Sequence, residues 1–76
     1  MSRSANARFA DIILAALNSG PLTTHELYLV AKKQAPDLCN DLDDWKHSLR
    51  GAQSSLQHAR KIRRVVHRSY TWELLR

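Results

Sequence analysis

Apolar residues at helical spacing predict a first helix over residues 5–18. Side chains at i, i+3, i+4, i+7 and i+8 share one face of a helix, and five apolar residues follow that spacing: Phe9, Ile12, Ile13, Ala16 and Leu17. Ser4 suits the N-cap position, because its hydroxyl can accept a backbone hydrogen bond, and residues 1–4 are expected to be frayed. Gly20 and Pro21 end the helix, since glycine tolerates the left-handed conformation and proline cannot continue the helix.

A second helix is predicted over residues 24–34 and begins with a capping box. Thr23 and Glu26 have the spacing at which each side chain accepts a hydrogen bond from the backbone N–H of the other residue. Leu27, Val30 and Ala31 would face the core of the protein. Pro36 ends this helix, because the residue before a proline is disfavoured in the helical conformation.

A third, longer helix is predicted over residues 44–60, with one apolar and one polar stripe. The apolar stripe has spacings of four, three, four and three: Trp45, Leu49, Ala52, Leu56 and Ala59. On the opposite face, the same spacing connects Lys46, Arg50, Gln53, Gln57 and Arg60, with His47 and Ser54 beside them. Such a face is common on any solvated helix, but these residue types can also donate hydrogen bonds to guanine, adenine and phosphate in a major groove.

A basic β-hairpin is predicted over residues 61–74, directly after this helix. Residues 61–66 and 70–74 are rich in β-branched and aromatic side chains, and a short polar connection of three residues separates them: His67, Arg68 and Ser69. Tyr70, Trp72 and Leu74 would share one face at the period of two and pack on the helices. Lys61, Arg63 and Arg64 add positive charge to the first strand.

Three helices followed by a basic hairpin with an aromatic-x-aromatic-x-Leu strand resemble a winged helix-turn-helix domain. The resemblance covers nearly the whole chain and is closest to the small modules of the HARE-HTH group and of the N-terminal part of Mrr-type restriction enzymes. It implies the order α1-β1-α2-α3-β2-β3, with Leu22 in a short first strand, residues 44–60 as the recognition helix and residues 61–74 as the wing. The chain departs from this pattern in two places: the wing turn lacks glycine, and residues 35–43 separate the second and third helices.

The acidic connection over residues 35–43 has three interpretations. In the first, Asp43 or Asp44 caps the third helix while Leu38 and Leu42 hold the loop on the core. A calcium loop is the second, and it is rejected because the glycine and terminal glutamate of an EF-hand are missing. The third is a surface that binds a protein or covers the basic helix. The first interpretation is preferred, and nothing in the residues tests the third.

Length and charge narrow the classes of function. A chain of 76 residues forms one small domain and has no room for the second layer of an enzyme. Residues 1–44 carry four basic and six acidic side chains, a net charge of −2, whereas residues 45–76 carry eight basic and one acidic, a net charge of +7. The positive charge therefore lies in the predicted helix and hairpin, as expected for a protein that binds a polyanion.

Cysteine and histidine positions give no indication of a metal site, cofactor or catalytic group. Cys39 is the only cysteine, so neither an internal disulfide nor paired cysteine ligands for zinc can form. The four histidines have no ligand spacing, and no nucleophile with its base is visible. No secretory signal is recognised, which favours a cytoplasmic or nucleoid-associated protein.

These patterns predict a non-enzymatic module that binds double-stranded DNA, with no cofactor and no membrane or small-molecule partner. The predicted contacts come from the helix and the hairpin: Lys46, His47, Arg50, Gln53, Ser54, Gln57, Arg60, Lys61, Arg63, Arg64, His67 and Arg68. Two alternatives stay open, namely a winged helix that binds a protein within a larger assembly and a reader of RNA or of duplexes that depart from B-form. Family resemblance alone favours a targeting role in a restriction-modification or regulatory system.

Overall fold

The computed structural model describes residues 5–41 and 44–75, which form a mainly helical fold with a small three-stranded antiparallel sheet. Its elements in chain order are α1 (Ala5–Leu17), β1 (Leu22–Thr23), α2 (Thr24–Gln34), α3 (Pro36–Asp41), α4 (Trp45–His58), β2 (Ile62–Arg64) and β3 (Thr71–Leu74). Within these residues, no helix is both long and apolar enough to cross a membrane. The predicted frayed terminus and the Ser4 cap lie outside the described residues.

The core lies where α1 packs against α4 and α2. The predicted stripe of α1 is confirmed, since Phe9, Ile13 and Leu17 are buried and its other two members pack beside them. Three other elements contribute buried apolar side chains to the same cluster: Leu27 and Ala31 from α2, Leu49, Ala52 and Leu56 from α4, and Ile62 from β2. The rings of Phe9 and Trp45 lie 6.5 Å apart, which extends this core to the start of α4.

The start of α2 has the predicted capping box. The Glu26 N–H donates to Thr23 Oγ1 at 3.1 Å, and the Thr23 N–H donates to Glu26 Oε1 at 2.9 Å. These two hydrogen bonds with Thr23, of which the backbone one contributes most, lower the pKa of the Glu26 carboxyl from its ordinary value. The cap thus fixes the point at which β1 becomes α2.

Residues 35–43 were predicted as a loop, but most of them form the short helix α3. Pro36 begins this helix, where its fixed backbone angle and missing N–H are no disadvantage. Arg8 Nη1 of α1 donates to Asp37 Oδ2 at 2.9 Å, and this bond lowers the pKa of the Asp37 carboxyl. Leu38 packs against the core as predicted, and burial raises the pKa of the Cys39 thiol. The segment is therefore a short helix and not a loop. The hydrogen bond from the Cys39 N–H to the Ala35 carbonyl and the ion pair with Arg8 of α1 stabilise it.

The start and end of the long helix differ slightly from the prediction. Asp44 occupies the N-cap of α4, but its side chain makes no capping hydrogen bond. The alternative cap Asp43, and Leu42, which was predicted to hold the loop on the core, lie outside the described residues. Ala59 was predicted in the core and is exposed. The reason is that α4 ends at His58, and Arg60 then turns the chain into β2 through a left-handed conformation with φ of 59°.

The hairpin strands are shorter than predicted, and the loop between them is longer. β3 is the central strand of the sheet and pairs with both β1 and β2. The loop over residues 65–70 contains no glycine, and His67 and Tyr70 adopt φ of 71° and 54°. Tyr70 was predicted to face the core with Trp72 and Leu74, but it precedes β3 and is 70% exposed. The left-handed turn at Tyr70 breaks the alternation on which that prediction was based.

Gly51 faces α1 and leaves room for a methyl group. A Cβ at this position would lie 3.7 Å from Asn6 Nδ2, an ordinary van der Waals distance. We expect Gly51→Ala to raise the free energy of unfolding by up to about 1 kcal/mol, because alanine restricts the unfolded chain and favours helix. Urea unfolding monitored by circular dichroism measures this change.

Gly20→Ala is the matched control for this prediction, since it makes the same chemical change at φ of 140°. A side chain is strained at this angle even though no atom lies within 4 Å of the added Cβ. We expect this variant to be destabilised. Destabilisation of Gly51→Ala to the same extent would contradict the described packing of α4 on α1.

The capping box predicts a pH-dependent contribution to stability. We expect Glu26→Ala to lower the free energy of unfolding at neutral pH, because the carboxylate that accepts the Thr23 N–H is lost. The pKa of Glu26 is lowered in the folded state, so its contribution is present above the ordinary value of 4.5 and disappears as the pH falls through the folded value. Urea unfolding from neutral pH down to about pH 3 tests this, and a difference independent of pH would contradict it. Glu26→Gln is the control, since its amide oxygen still accepts but does not titrate.

Candidate nucleic-acid interface

The outer surface of α4 carries five of the twelve polar side chains that were predicted to contact DNA. Lys46, His47, Arg50, Ser54 and Gln57 are all exposed on this helix. Arg60 and Lys61 are exposed in the turn that follows it. These side chains therefore lie on a surface that a large partner can reach.

Gln53 does not belong to this exposed surface, contrary to the prediction. It is 4% exposed, and its Nε2 has no hydrogen-bond partner in the part of the chain that the structure describes. The physical reason is the rotation of a helix: one residue advances it by about 100°, so the polar stripe adjoins the apolar stripe and is not opposite to it. In the middle of α4, neighbouring elements cover that flank.

Arg63 and Arg64 project to opposite sides of the hairpin. Arg63 pairs with Glu73 across the strands, and its Nε donates to Glu73 Oε1 at 2.6 Å. Arg64 pairs in register with Trp72 and lines a cavity together with side chains of α4. Of the two, only Arg64 is therefore placed beside the polar residues of α4, and sequence reasoning that treated them alike missed this difference.

The hairpin loop is attached to the N-terminal end of α2. The Thr24 N–H donates to the Tyr70 carbonyl at 2.9 Å, and Trp72 Nε1 donates to Thr24 Oγ1 at 3.1 Å. After the two hydrogen bonds with Thr23, the positive charge of Arg68 also lowers the pKa of Glu26. Arg68 and the exposed His67 consequently lie on the loop near the start of α2.

A cavity of about 460 Å³ lies where α2, α4 and the hairpin meet. We call it the α2–α4–hairpin cavity, and its lining consists of Thr24, Tyr28, Arg50, Gln53, Gln57, Arg64, Tyr70 and Trp72. Gln53 is the only buried residue among them. Sequence reasoning did not include Thr24, Tyr28, Tyr70 or Trp72 among the predicted DNA contacts. The spacing of four between Thr24 and Tyr28 shows that they share a face, but only the tertiary structure brings that face to α4.

The charges of this cavity are available to a ligand. Among the described residues, the ion pairs of arginine are Arg8 with Asp37 and Arg63 with Glu73, so Arg50 and Arg64 have no carboxylate partner there. Lys46 lies near the cavity, with Nζ 5.5 Å from the centre of the Tyr28 ring and 5.8 Å from that of Trp45. Within the described residues, no group of three or more His, Cys, Asp or Glu side chains could hold a metal ion. The site therefore offers guanidinium, amide and aromatic groups, which suit an anionic or aromatic ligand.

The unpartnered amide of Gln53 is predicted to lower the stability of the folded protein. A buried donor without an acceptor costs about 1–3 kcal/mol, and methionine has a similar unbranched shape without polar hydrogens. We expect Gln53→Met to raise the free energy of unfolding by about 1 kcal/mol, as measured by urea unfolding. Gln34→Met, the same change at the exposed end of α2, should leave stability nearly unchanged. If Gln53→Met lowers the free energy of unfolding while Gln34→Met does not, the Gln53 amide has a hydrogen-bond partner and this prediction is wrong.

Comparison of the chain with protein-family models, with curated proteins and with solved structures finds no match. The interpretation of this surface therefore depends on its own geometry and charge.

Proposed function

We propose that this chain is a winged helix-turn-helix module that binds double-stranded DNA. In this proposal α4 enters the major groove, where Lys46, Arg50 and Gln57 approach base edges or phosphates. The hairpin contacts the backbone or the minor groove through Arg64, His67 and Arg68. The role of Gln53 differs from that of its neighbours on α4, because its side chain is buried.

The observation that carries the proposal is the meeting of α4 and the hairpin at one concave surface. Arg50 and Gln57 of α4 line the same cavity as Arg64 of β2, although the sequence separates the helix and the strand by a turn. A helix and a strand that present cations to one surface can contact two neighbouring parts of a duplex at once. A solvated helix face would not require this arrangement.

The topology supports the winged-helix part of the proposal. β1 pairs with β3 through Leu22 and Trp72, so the short first strand joins the hairpin as the resemblance implies. The sheet order is β1-β3-β2, and the long polar helix comes directly before the hairpin. The additional helix α3 occupies the connection between α2 and α4, which is one of the two places where the chain departs from the winged-helix pattern.

Electrostatics would supply much of the affinity. Residues 45–76 carry a net charge of +7, and each phosphate that they neutralise releases counterions from the duplex. Affinity should then fall steeply as salt rises. A targeting role in restriction-modification or regulation is compatible with such a module, and it is proposed from the resemblance alone.

A protein partner is the second candidate, favoured by an apolar side chain on the outer surface of α2. Leu29 is 56% exposed and lines a small depression with Lys32 and Lys46. An acidic partner with an apolar contact residue would fit this position. RNA or a non-B-form duplex would use the α4 and hairpin surface itself, so the choice of nucleic acid in the binding assay distinguishes it.

The two arginines of the hairpin provide a matched test of the DNA proposal. We expect Arg64→Ala and Arg50→Ala each to weaken binding to duplex DNA by about tenfold, since each removes a cation from the common surface. Arg63→Ala removes the same charge from the opposite side of the sheet, where Arg63 is paired with Glu73, and should change affinity much less. Fluorescence anisotropy at two salt concentrations measures all four proteins.

Equal losses for Arg63→Ala and Arg64→Ala would mean that affinity follows net charge and not the described surface. Absence of salt-sensitive binding by the wild type at low salt would reject the DNA proposal. A parallel titration with duplex RNA separates the two polymers. Binding of an acidic protein that is lost in Leu29→Ala would then support the second candidate.

A further inference from the structure

We infer that the α2–α4–hairpin cavity binds a single nucleobase together with its phosphate. The cavity belongs to the surface that is proposed to bind DNA, and the inference names the part of a nucleic acid that would enter it. The base would come either from a DNA strand, after leaving the stack, or from a free nucleotide. The first source rests on the proposed function, and the second does not.

The buried amide of Gln53 is the first observation that points to such a ligand. Gln53 is 4% exposed, lines the cavity, and has an Nε2 without an acceptor among the described residues. A protein that used this position only for packing would be more stable with an apolar side chain of the same shape. Ring nitrogens and carbonyl oxygens of nucleobases are acceptors that a glutamine amide recognises. A base in the cavity, reached by a small movement of the side chain, would supply the missing partner.

Aromatic side chains of the cavity are the second observation. Tyr28, Tyr70 and Trp72 all contribute to its lining, and nucleobases stack on such rings regardless of sequence. The bond from Trp72 Nε1 to Thr24 Oγ1 holds the indole in place before any ligand arrives. The indole therefore offers a preorganised contact surface for a planar ligand.

The left-handed backbone conformation of Tyr70 is the third observation. Its φ of 54° is unusual for a bulky residue, since glycine or asparagine occupies this region at lower cost. The bond from the Thr24 N–H to its carbonyl helps to hold this conformation, and the residue is 70% exposed beside the cavity. An exposed aromatic side chain in a strained position indicates a contact residue and not a packing residue.

Size and charge favour a nucleotide over other planar molecules. The cavity volume of about 460 Å³ lies within the range of small-molecule sites, and a base with its sugar and phosphate is a ligand of that scale. Arg50 and Arg64 line the same cavity without carboxylate partners in the described residues. Their guanidinium groups match the geometry of a phosphate, while the amide and the rings match the base.

A duplex with one unpaired base tests the strand-borne source. The probes are two labelled duplexes of the same sequence, one fully paired and one with a single extra adenine at its centre. Taking a base out of a stack is least costly when it has no pairing partner, so a site for an extruded base prefers the second duplex. We expect the wild type to bind the bulged duplex at least about tenfold more tightly than the paired one. Fluorescence anisotropy measures both affinities.

Free nucleotides test the other source. The four deoxynucleoside 5′-monophosphates and inorganic phosphate are titrated separately into labelled protein. The readouts are the NMR resonances of the Gln53 side-chain amide and the Trp72 indole N–H. Binding of a nucleotide in the cavity shifts both resonances, whereas phosphate alone leaves the Gln53 amide unchanged.

Two variants keep the test independent of folding. Gln53→Met removes the amide and Tyr70→Asn removes the ring at a position where asparagine suits the backbone, so neither is expected to unfold the protein. Both should abolish the preference for the bulged duplex or the response to monophosphates, while Gln53→Met retains binding of the paired duplex. Gln34→Met, the same substitution outside the cavity, should behave as the wild type.

The outcomes separate this inference from the proposed function. Equal affinity of the wild type for both duplexes, with no monophosphate shifting the Gln53 amide, overturns the base site even if salt-sensitive DNA binding is observed. A shift with monophosphates in a protein that binds neither duplex supports the base site and rejects the DNA proposal. A bulge preference that survives in Gln53→Met and Tyr70→Asn also overturns the inference, because the preference would then arise elsewhere.

Discussion

The packing of α4 on α1 fixes the orientation on which the whole surface depends. Leu49 and Ala52 are buried against a core that includes Phe9 and Ile13, so α4 has no freedom to rotate about its axis. That single orientation decides that Arg50 faces solvent and that Gln53 lies beneath α2 and the hairpin. In a chain of 76 residues, which buries a small core, few other contacts could set this angle.

Local sequence signals were sufficient for the elements whose ends are defined by nearby residues. The α1 stripe and the Thr23 and Glu26 capping box were predicted in this way and are present. The short strand at Leu22 is also present, but the resemblance and not a local signal implied it. Helix α3 was missed because acidic residues around Pro36 were read as a connection, while the ion pair between Arg8 and Asp37 that accompanies it spans two distant segments. Such a contact has no periodic signature in the sequence.

The sequence predicted which kinds of side chain the surface carries, but not which of them lie together in the folded protein. Periodicity identified Arg50 and Gln57 as outward positions of α4, and the structure places them there. It failed for Gln53, since a spacing rule treats each position of a stripe alike and takes no account of neighbours that cover its middle. It failed for Tyr70 because a left-handed residue breaks the alternation of a strand, and no glycine indicated where the break lies.

Two hydrogen bonds join the parts of the surface that the sequence keeps apart. The Thr24 N–H binds the Tyr70 carbonyl, and Trp72 Nε1 binds Thr24 Oγ1, so the start of α2 is attached to the hairpin across more than forty residues. Because β3 pairs with β2 in register, the same attachment also positions Arg64. The cap that begins α2 is thus coupled to the hairpin side of the cavity, while core packing positions its α4 side. Since the two sides are held by different interactions, a substitution at Thr24 that removes the bond to Trp72 but keeps the backbone bond to Tyr70 weakens the attachment of the hairpin and leaves the packing of α4 in place.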